Sequence, residues 1–262
     1  MKTLAIILSS LCCACALTEA SPQSVDFSSF SVEVKDFTAK VYGEKISEYM
    51  LHSTDEAFEP ETTPFQKIVK QYKSNGKTVI LRCGDFSSHT SAGTDMKKYL
   101  GDTRFLNLTS PEVKNLAHRF LAGKNQPVKV ERFVSEFIDR KTLGIPLLPA
   151  VNVIRSRSGD CTEHTVLTVA LLRSLGIPAR AVMGMILVPE FGGRRNIFVY
   201  HMWAEAFYGG RWHLMDATRP GEKDHNRYIA FAFHSLASEM PLSYFRVIAA
   251  IQDLEVRYLK GK

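Results

Sequence analysis

The feature that most constrains the fold is a predicted helix, because residues 158–178 contain both an N-terminal and a C-terminal helix signal. Asp160 is a typical N-cap residue, and Glu163, three positions later, completes a capping-box pattern. A long apolar run follows and ends at a Gly-Ile-Pro sequence, which is typical of a helix C-terminus. The segment therefore predicts a helix with Cys161 in its first turn.

A pair of antiparallel strands is predicted directly after this helix. Strand signals cover residues 179–188 and 197–208, and a loop rich in glycine and arginine joins them. Gly209 and Gly210 then form the kind of two-residue turn that connects hairpin strands, so residues 211–218 are predicted to be the return strand.

The turn length decides which side chains share a face of this hairpin. With a two-residue turn, Trp203 lies opposite Asp216, and His201 becomes a diagonal neighbour of Asp216 on the same face. Such neighbours have Cα atoms roughly 7–8 Å apart, which lets an imidazole and a carboxylate meet. His213 falls on the other face. A three-residue loop would break this parity.

These positions suit thiol chemistry. The N-terminus of a helix favours a thiolate, which makes Cys161 a candidate nucleophile. Thiolate catalysis also needs a base and a group that orients it, and His201 and Asp216 are candidates for these roles. His164, one turn along the helix from Cys161, is an alternative base, but a base on a second element can approach the thiol from the substrate side.

The alternative interpretation is that each of these residues has only a structural role. A single Cys, His or Asp is more often ordinary than catalytic, and the large side chains on the same face are expected to be core: Trp203, Phe207, Trp212 and Leu214. The joint pattern of a capped cysteine helix followed by a histidine and an aspartate on one strand face favours catalysis.

The rest of the chain gives coarser signals. Residues 21–101 contain short strand-like runs and are predicted to be a β-rich flank. Ser110 and Pro111 predict the start of a helix, and an apolar stripe predicts a second helix over residues 130–140.

Composition narrows the class of protein. The 262 residues are 45% hydrophobic and 23% charged, which is typical of a folded globular protein. The net charge of +6 is spread along the chain, with no dense basic run, so nucleic-acid binding is not expected.

Residues 1–20 have the pattern of a signal peptide, with a short cationic start and an apolar stretch. Cleavage is expected after Ala16 or Ala20, so the protein is predicted to be exported to the periplasm or the extracellular space. The alternative is a membrane-anchored lipoprotein with a lipid on a leader cysteine, one of Cys12, Cys13 and Cys15. The residues before them match the lipidation pattern poorly, which favours plain export.

Only Cys83 and Cys161 follow the leader, so one disulfide at most can form. A structural protein bridged between these two cysteines is a further alternative.

Three motifs in order resemble the transglutaminase-like superfamily: GDC at 159–161 followed by LLRSLGIPAR at 171–180, HMWAE at 201–205, and WHLMDAT at 212–218. The resemblance spans about residues 110–218 and suggests an exported, bacterial-type member. It implies an α+β, papain-like fold in which the cysteine helix packs on an antiparallel sheet. It also implies Cys161, His201 and Asp216 as the triad, and the thiol mechanism expected of these residues requires neither a cofactor nor a metal. The predicted domains are a β-rich flank over 21–101 and a transglutaminase-like domain over 102–262, with core motifs at 158–218.

The expected function is acyl transfer from peptide or protein amides through a Cys161 thioester. Hydrolysis, as in a cysteine peptidase or amidase, is favoured over amide exchange because water is always present. The Cys161 backbone N–H is the first candidate oxyanion donor, with Asn152 and Trp203 as weak candidates for the second. Arg194 and Arg195 could contact an acidic partner, but a solvated charged loop is favoured. The alternative function is a non-catalytic peptide- or protein-binding module on the same fold.

Overall fold

The computed structural model describes residues 30–86, 96–122, 124–142, 147–221, 224–237 and 242–261. The predicted leader and its three cysteines lie outside these residues. The described chain is an α+β protein, as predicted, with a large sheet and a small number of helices.

The strands are β1 (Ser31–Lys35), β2 (Ile46–Ser53), β3 (Gln66–Lys73), β4 (Lys77–Gly84), β5 (Arg140–Lys141), β6 (Ser158–Gly159), β7 (Ala179–Phe191), β8 (Arg194–Tyr208), β9 (Arg211–Met215), β10 (Tyr228–His234) and β11 (Glu255–Gly261). The helices are α1 (Pro111–His118), α2 (Gln126–Phe137), α3 (Ala150–Ser156), α4 (Cys161–Ser174) and α5 (Leu242–Gln252).

Nine of these strands form one sheet in the described part of the chain. Its order is β10-β7-β8-β1-β11-β2-β4-β3, and β9 also pairs with β8. All neighbours are antiparallel except β1 and β11. The predicted β-rich flank therefore contributes β1 to β4 to the same sheet as the hairpin that carries His201.

The predicted cysteine helix is α4, and it packs on this sheet. Its interior is buried between β7 and β8 on one side and α1, α2 and α3 on the other. The first core cluster joins the apolar side chains of α4 to Met183, Met202 and Ala204 of the sheet. A second cluster contains Val182, Trp203, Trp212, Leu214 and Tyr228, with Phe207 packed against it. The predictions that Trp203, Phe207, Trp212 and Leu214 belong to the core are therefore confirmed.

Two predicted boundaries are wrong. The helix predicted over residues 130–140 begins at Gln126 and ends at Phe137, because Pro127 supports its first turn before the apolar stripe starts. The return strand predicted to reach residue 218 ends at Met215, so Asp216 begins a turn in which its backbone carbonyl accepts a hydrogen bond from the Arg219 N–H.

The prediction of an arginine-rich loop before β8 is also wrong. Strands β7 and β8 extend to Phe191 and Arg194, and Gly192 and Gly193 alone turn the chain, with φ of +56° and +77°. The Arg194 guanidinium donates to Ser31 Oγ at 2.6 Å and pairs with Glu33 at 3.0 Å. Arg194 thus ties β8 to β1 and is not part of a solvated loop.

Within the described ranges, no helix is both long enough and apolar enough to cross a membrane. Cys83 and Cys161 are both free thiols, so the interpretation of a disulfide-bridged structural protein is wrong.

Gly184, on β7 opposite His201, leaves no space for a side chain. A Cβ there would lie 1.9 Å from the Ile229 carbonyl oxygen of β10. We expect Gly184→Ala to separate β7 from β10 and to lower the free energy of unfolding by roughly 2–3 kcal/mol, measured by urea denaturation. Gly43→Ala is the matched control, because its Cβ would meet nothing within 4 Å. Equal stability of the two variants would contradict the steric argument.

Candidate active site

The N-terminus of α4 is held by the predicted capping box. The Asp160 carboxylate accepts hydrogen bonds from the Thr162 N–H at 2.8 Å and the Thr162 hydroxyl at 2.7 Å. The Asp160 N–H in turn donates to the Glu163 carboxylate at 3.0 Å. Cys161 is therefore the first residue of a firmly capped helix, as predicted.

The hairpin has the predicted register. Gly209 and Gly210 form a two-residue turn with φ of +58° and +79°, and Tyr208 pairs with Arg211. His201 Nε2 and Asp216 Oδ2 are 2.7 Å apart, and both side chains are buried. The structure therefore brings these two residues together, as the two-residue turn predicts. Because Asp216 occupies Nε2, Nδ1 is the ring nitrogen left for the chemistry of a thiol.

Asp216 is surrounded by donors. Thr218 donates to Oδ1 from its hydroxyl at 2.6 Å and from its backbone N–H at 3.0 Å. The Tyr228 hydroxyl donates to Oδ2 at 2.8 Å. Burial alone would raise the pKa of Asp216, but the attraction of His201 and these hydrogen bonds outweigh it and hold the pKa well below its usual value. Asp216 is thus an ionised carboxylate in the core.

The backbone of Asp216 is also fixed. Its N–H donates at 2.8 Å to the carboxylate of Glu131, a buried residue on α2. Helix α2 therefore sets the position of the Asp216 main chain, while Thr218 and Tyr228 set the orientation of its side chain.

The Cys161 thiol is half-buried and lies beside β8. The backbone of Met202, the residue after His201, forms a hydrogen bond with the Cys161 sulfur, which favours a thiolate. Burial has the larger effect and raises the pKa of Cys161 well above its usual value, and the negative charges of Asp160, Asp216 and Glu163 add to it. Burial therefore opposes the effect of the helix N-terminus, which favours a thiolate, and the net effect favours the neutral thiol.

The other histidines are engaged elsewhere. His164 Nδ1 lies 2.6 Å from the Asp160 carbonyl oxygen within the helix, and burial lowers the pKa of His164, so its ring is neutral. The His213 ring stacks on Tyr208 with centroids 3.7 Å apart. Among the described histidines, His201 is the one that bonds Asp216.

The two weak candidates for a second oxyanion donor lie in different surroundings. Asn152 lines an open cavity of about 690 Å³ together with Asp102, Arg104 and Asn107, and the lining of that cavity includes neither Cys161 nor His201. The Trp203 ring stacks on His201 with centroids 6.0 Å apart, and its buried Nε1–H has no hydrogen-bond partner in the described part of the chain.

The described residues contain no group of three or more His, Cys, Asp and Glu side chains that could hold a metal ion.

Glu163 gives the site a pH-dependent stability. Its pKa is raised to about 7, first by burial and then by the negative charge of Asp160, to which the protonated acid can donate a hydrogen bond. A carboxyl with a raised pKa in the folded state stabilises the fold fully below its unfolded pKa of 4.5, and that contribution is lost as pH rises through about 7.

We therefore expect the contribution of Glu163 to the free energy of unfolding, taken as the difference between the wild type and Glu163→Gln, to fall by on the order of 2–3 kcal/mol between pH 5 and pH 8. Urea titrations across this range measure it. Glu163→Gln, which has no proton to lose, should flatten most of this slope. The same pH dependence of stability in the wild type and in Glu163→Gln would contradict the assignment.

Three residues around Asp216 were not found from the sequence. Thr218 lies in the WHLMDAT motif and could have been noticed there. Glu131 lies on an amphipathic helix, where a glutamate usually faces solvent, and Tyr228 starts a strand beyond the motifs, so neither carries a local signal.

The site has a papain-like arrangement. A capped helix that begins with a cysteine packs on an antiparallel sheet, and the sheet carries a hydrogen-bonded His–Asp pair. Residues 114–217 match the family model of the Transglutaminase-like superfamily. This segment contains Cys161, His201 and Asp216, and over these residues the match confirms the resemblance drawn from the motifs.

Similar solved structures include three from different organisms. A candidate cysteine protease from Cytophaga hutchinsonii is 17% identical, with a TM-score of 0.48 over 84% of this chain and 82% of that one. The periplasmic domain of TgpA from Pseudomonas aeruginosa is 15% identical, with a TM-score of 0.46 over 74% and 73%. Red sea bream transglutaminase is 11% identical, with a TM-score of 0.33 over 70% and 47%. No curated protein matches the sequence.

Proposed function

We propose that the protein is a thiol-dependent acyltransferase or hydrolase that acts on peptide or protein amides, with Cys161 as nucleophile, His201 as base and Asp216 as the group that orients the base. The observation that supports the proposal is the 2.7 Å hydrogen bond between His201 Nε2 and Asp216 Oδ2. The backbone of Met202, the residue after His201, forms a hydrogen bond with the Cys161 sulfur.

The reaction begins from the neutral thiol. His201 Nδ1 takes the thiol proton as the sulfur attacks the amide carbonyl, so no resting thiolate is needed. The imidazolium that forms is stabilised by ionised Asp216, and it then gives its proton to the departing amine. The proposed donor to the oxyanion is the Cys161 backbone N–H at the helix N-terminus. The product is a thioester on Cys161.

Water is the proposed acceptor that resolves the thioester to an acid, which makes hydrolysis the first candidate and amine transfer the second. The signal-peptide pattern of residues 1–20 supports export, so the substrate is proposed to be a peptide or protein amide of the periplasm or the extracellular space.

The test is to trap the thioester. The protein is incubated with a peptide mixture containing side-chain and backbone amides, quenched in acid, and digested for mass spectrometry. We expect an acyl adduct on the Cys161 peptide, and an added alkylamine should appear in the product only if transfer competes with hydrolysis. Peptides that bind the protein but are neither attached to Cys161 nor cleaved would replace the enzyme proposal with that of a binding module.

A further inference from the structure

We propose that Tyr228 is a positioning residue for the reaction proposed above: its hydroxyl holds the Asp216 carboxylate in the orientation that presents Oδ2 to His201. Tyr228 begins β10, outside the segment that matches the family model.

The contacts around Asp216 distinguish Tyr228 from a core tyrosine. Asp216 Oδ2 accepts from His201 Nε2 at 2.7 Å and from the Tyr228 hydroxyl at 2.8 Å, while Thr218 holds Oδ1. With both oxygens bonded, the carboxylate cannot rotate about its Cβ–Cγ bond without breaking hydrogen bonds in a buried site. Removing the Tyr228 hydroxyl leaves His201 as the only donor to Oδ2 among these residues.

The Tyr228 ring is itself fixed. It packs edge-on against Trp203 at 5.2 Å between centroids, and its centroid lies 6.1 Å from that of His201. Burial and the neighbouring Asp216 charge raise the pKa of Tyr228 well above its usual value, so the hydroxyl keeps its proton and remains a donor.

The β-rich flank holds the segment around Tyr228 in place. The Tyr49 hydroxyl donates to the Asn226 carbonyl oxygen at 3.0 Å, and the Asn226 side-chain amide donates to the Val41 carbonyl oxygen at 2.8 Å. On the other side of Tyr228, the Gln66 side chain bonds both the N–H and the carbonyl oxygen of Ala230, each at 2.9 Å. Residues 41–66 are therefore linked through β10 to the orientation of Asp216.

The test uses iodoacetamide alkylation of Cys161, read by peptide mass spectrometry, which needs no substrate. The part of the rate that His201→Ala removes is the histidine-assisted part. We expect Tyr228→Phe to lower that part roughly three- to tenfold, because the variant loses only a hydrogen bond to a charged group. In the His201→Ala background, Tyr228→Phe should change nothing further.

A direct readout accompanies the rates. The ring N–H proton that His201 shares with Asp216 is assigned by proton NMR through its loss in His201→Ala. We expect Tyr228→Phe to shift this signal and to speed its exchange with water, which a purely structural role would not do.

The matched control is Tyr258→Phe. The Tyr258 hydroxyl also donates to a carboxylate, that of Glu44, at 2.8 Å, away from the site. We expect this variant to leave the alkylation rate and the NMR signal unchanged.

Three results would overturn the positioning role. Tyr228 does not act through the His201–Asp216 pair if Tyr228→Phe is alkylated at the wild-type rate while His201→Ala is slow. The same follows if Tyr228→Phe slows alkylation equally in the His201→Ala background. In both cases the proposed function stands. If Cys161 is alkylated as fast in His201→Ala as in the wild type, His201 does not assist the thiol. Tyr228 then has no histidine-assisted reaction to support, and the proposed triad is wrong as well.

Discussion

Replacement of Cys161 by alanine is expected to reduce amide cleavage and transfer to the uncatalysed background, with the fold retained. The sulfur is the only proposed nucleophile, and without it no thioester can form. Loss of a nucleophile of this kind typically costs a factor of about a million in kcat. Cys161 is half-buried at the start of α4, and the capping bonds of the helix come from Asp160 and Glu163, so alanine should be tolerated there. Turnover of a peptide-amide mixture, together with thermal unfolding, measures both effects.

Cys83→Ala is the control, because Cys83 is the other described cysteine. Its side chain is fully buried on β4, and burial raises the pKa of its thiol well above the usual value, so it is inert. We expect this variant to keep full activity and to lose about 1 kcal/mol of stability through the small cavity it creates. Activity that survives in Cys161→Ala would contradict the proposal, whatever the activity of Cys83→Ala.

Local sequence rules predicted the parts of the site that depend on short-range geometry. The capping box around Cys161 follows from residue types three positions apart, and the His201–Asp216 contact follows from a two-residue turn and the alternation of side chains along strands. Both depend on a handful of neighbouring residues, so one sequence was sufficient.

The electrostatics of Cys161 could not be read in the same way. Its position at a helix N-terminus predicts a lowered pKa, but burial of the thiol and the convergence of Asp160, Glu163 and Asp216 have the opposite effect. Burial depends on how helix and sheet pack, which the sequence around Cys161 does not encode. The same holds for Glu131, which reaches Asp216 across 85 positions of the chain.

The strand boundaries failed for a related reason. Residues 189–196 contain proline, glycine and arginine and are typical of a loop, yet β7 continues to Phe191 and β8 starts at Arg194, because the two strands pair there and Arg194 bonds Ser31 and Glu33. Tertiary pairing outweighed local propensity at these positions.

Asp216→Asn is expected to lower turnover by about a thousandfold or more, with the protein still folded. An asparagine amide can donate to His201 Nε2, which moves the ring proton to Nδ1 and leaves no lone pair there to accept the thiol proton. It also carries no negative charge to stabilise the imidazolium. Measured separately, kcat should fall by nearly the whole amount and KM should change little. The reason is that Asp216 is buried and makes no contact with substrate in the proposed reaction.

Stability across pH gives the same variant a second test. The pKa of Asp216 is lowered in the folded state, so its ionised form stabilises the fold above the unfolded pKa of 3.8, and this contribution is lost as pH falls below it. Asp216→Asn should therefore be less stable at neutral pH by roughly 1–3 kcal/mol and should lose less stability on acidification.

Asp253→Asn is the control for Asp216→Asn. Asp253 also accepts hydrogen bonds from neighbouring side chains, Ser53 and Thr54, but it lies near the surface and outside the site. Its replacement should leave kcat unchanged. If Asp216→Asn turned over at the rate of Asp253→Asn, the His–Asp pair would be a structural bond of the core, and Cys161 would need a different base.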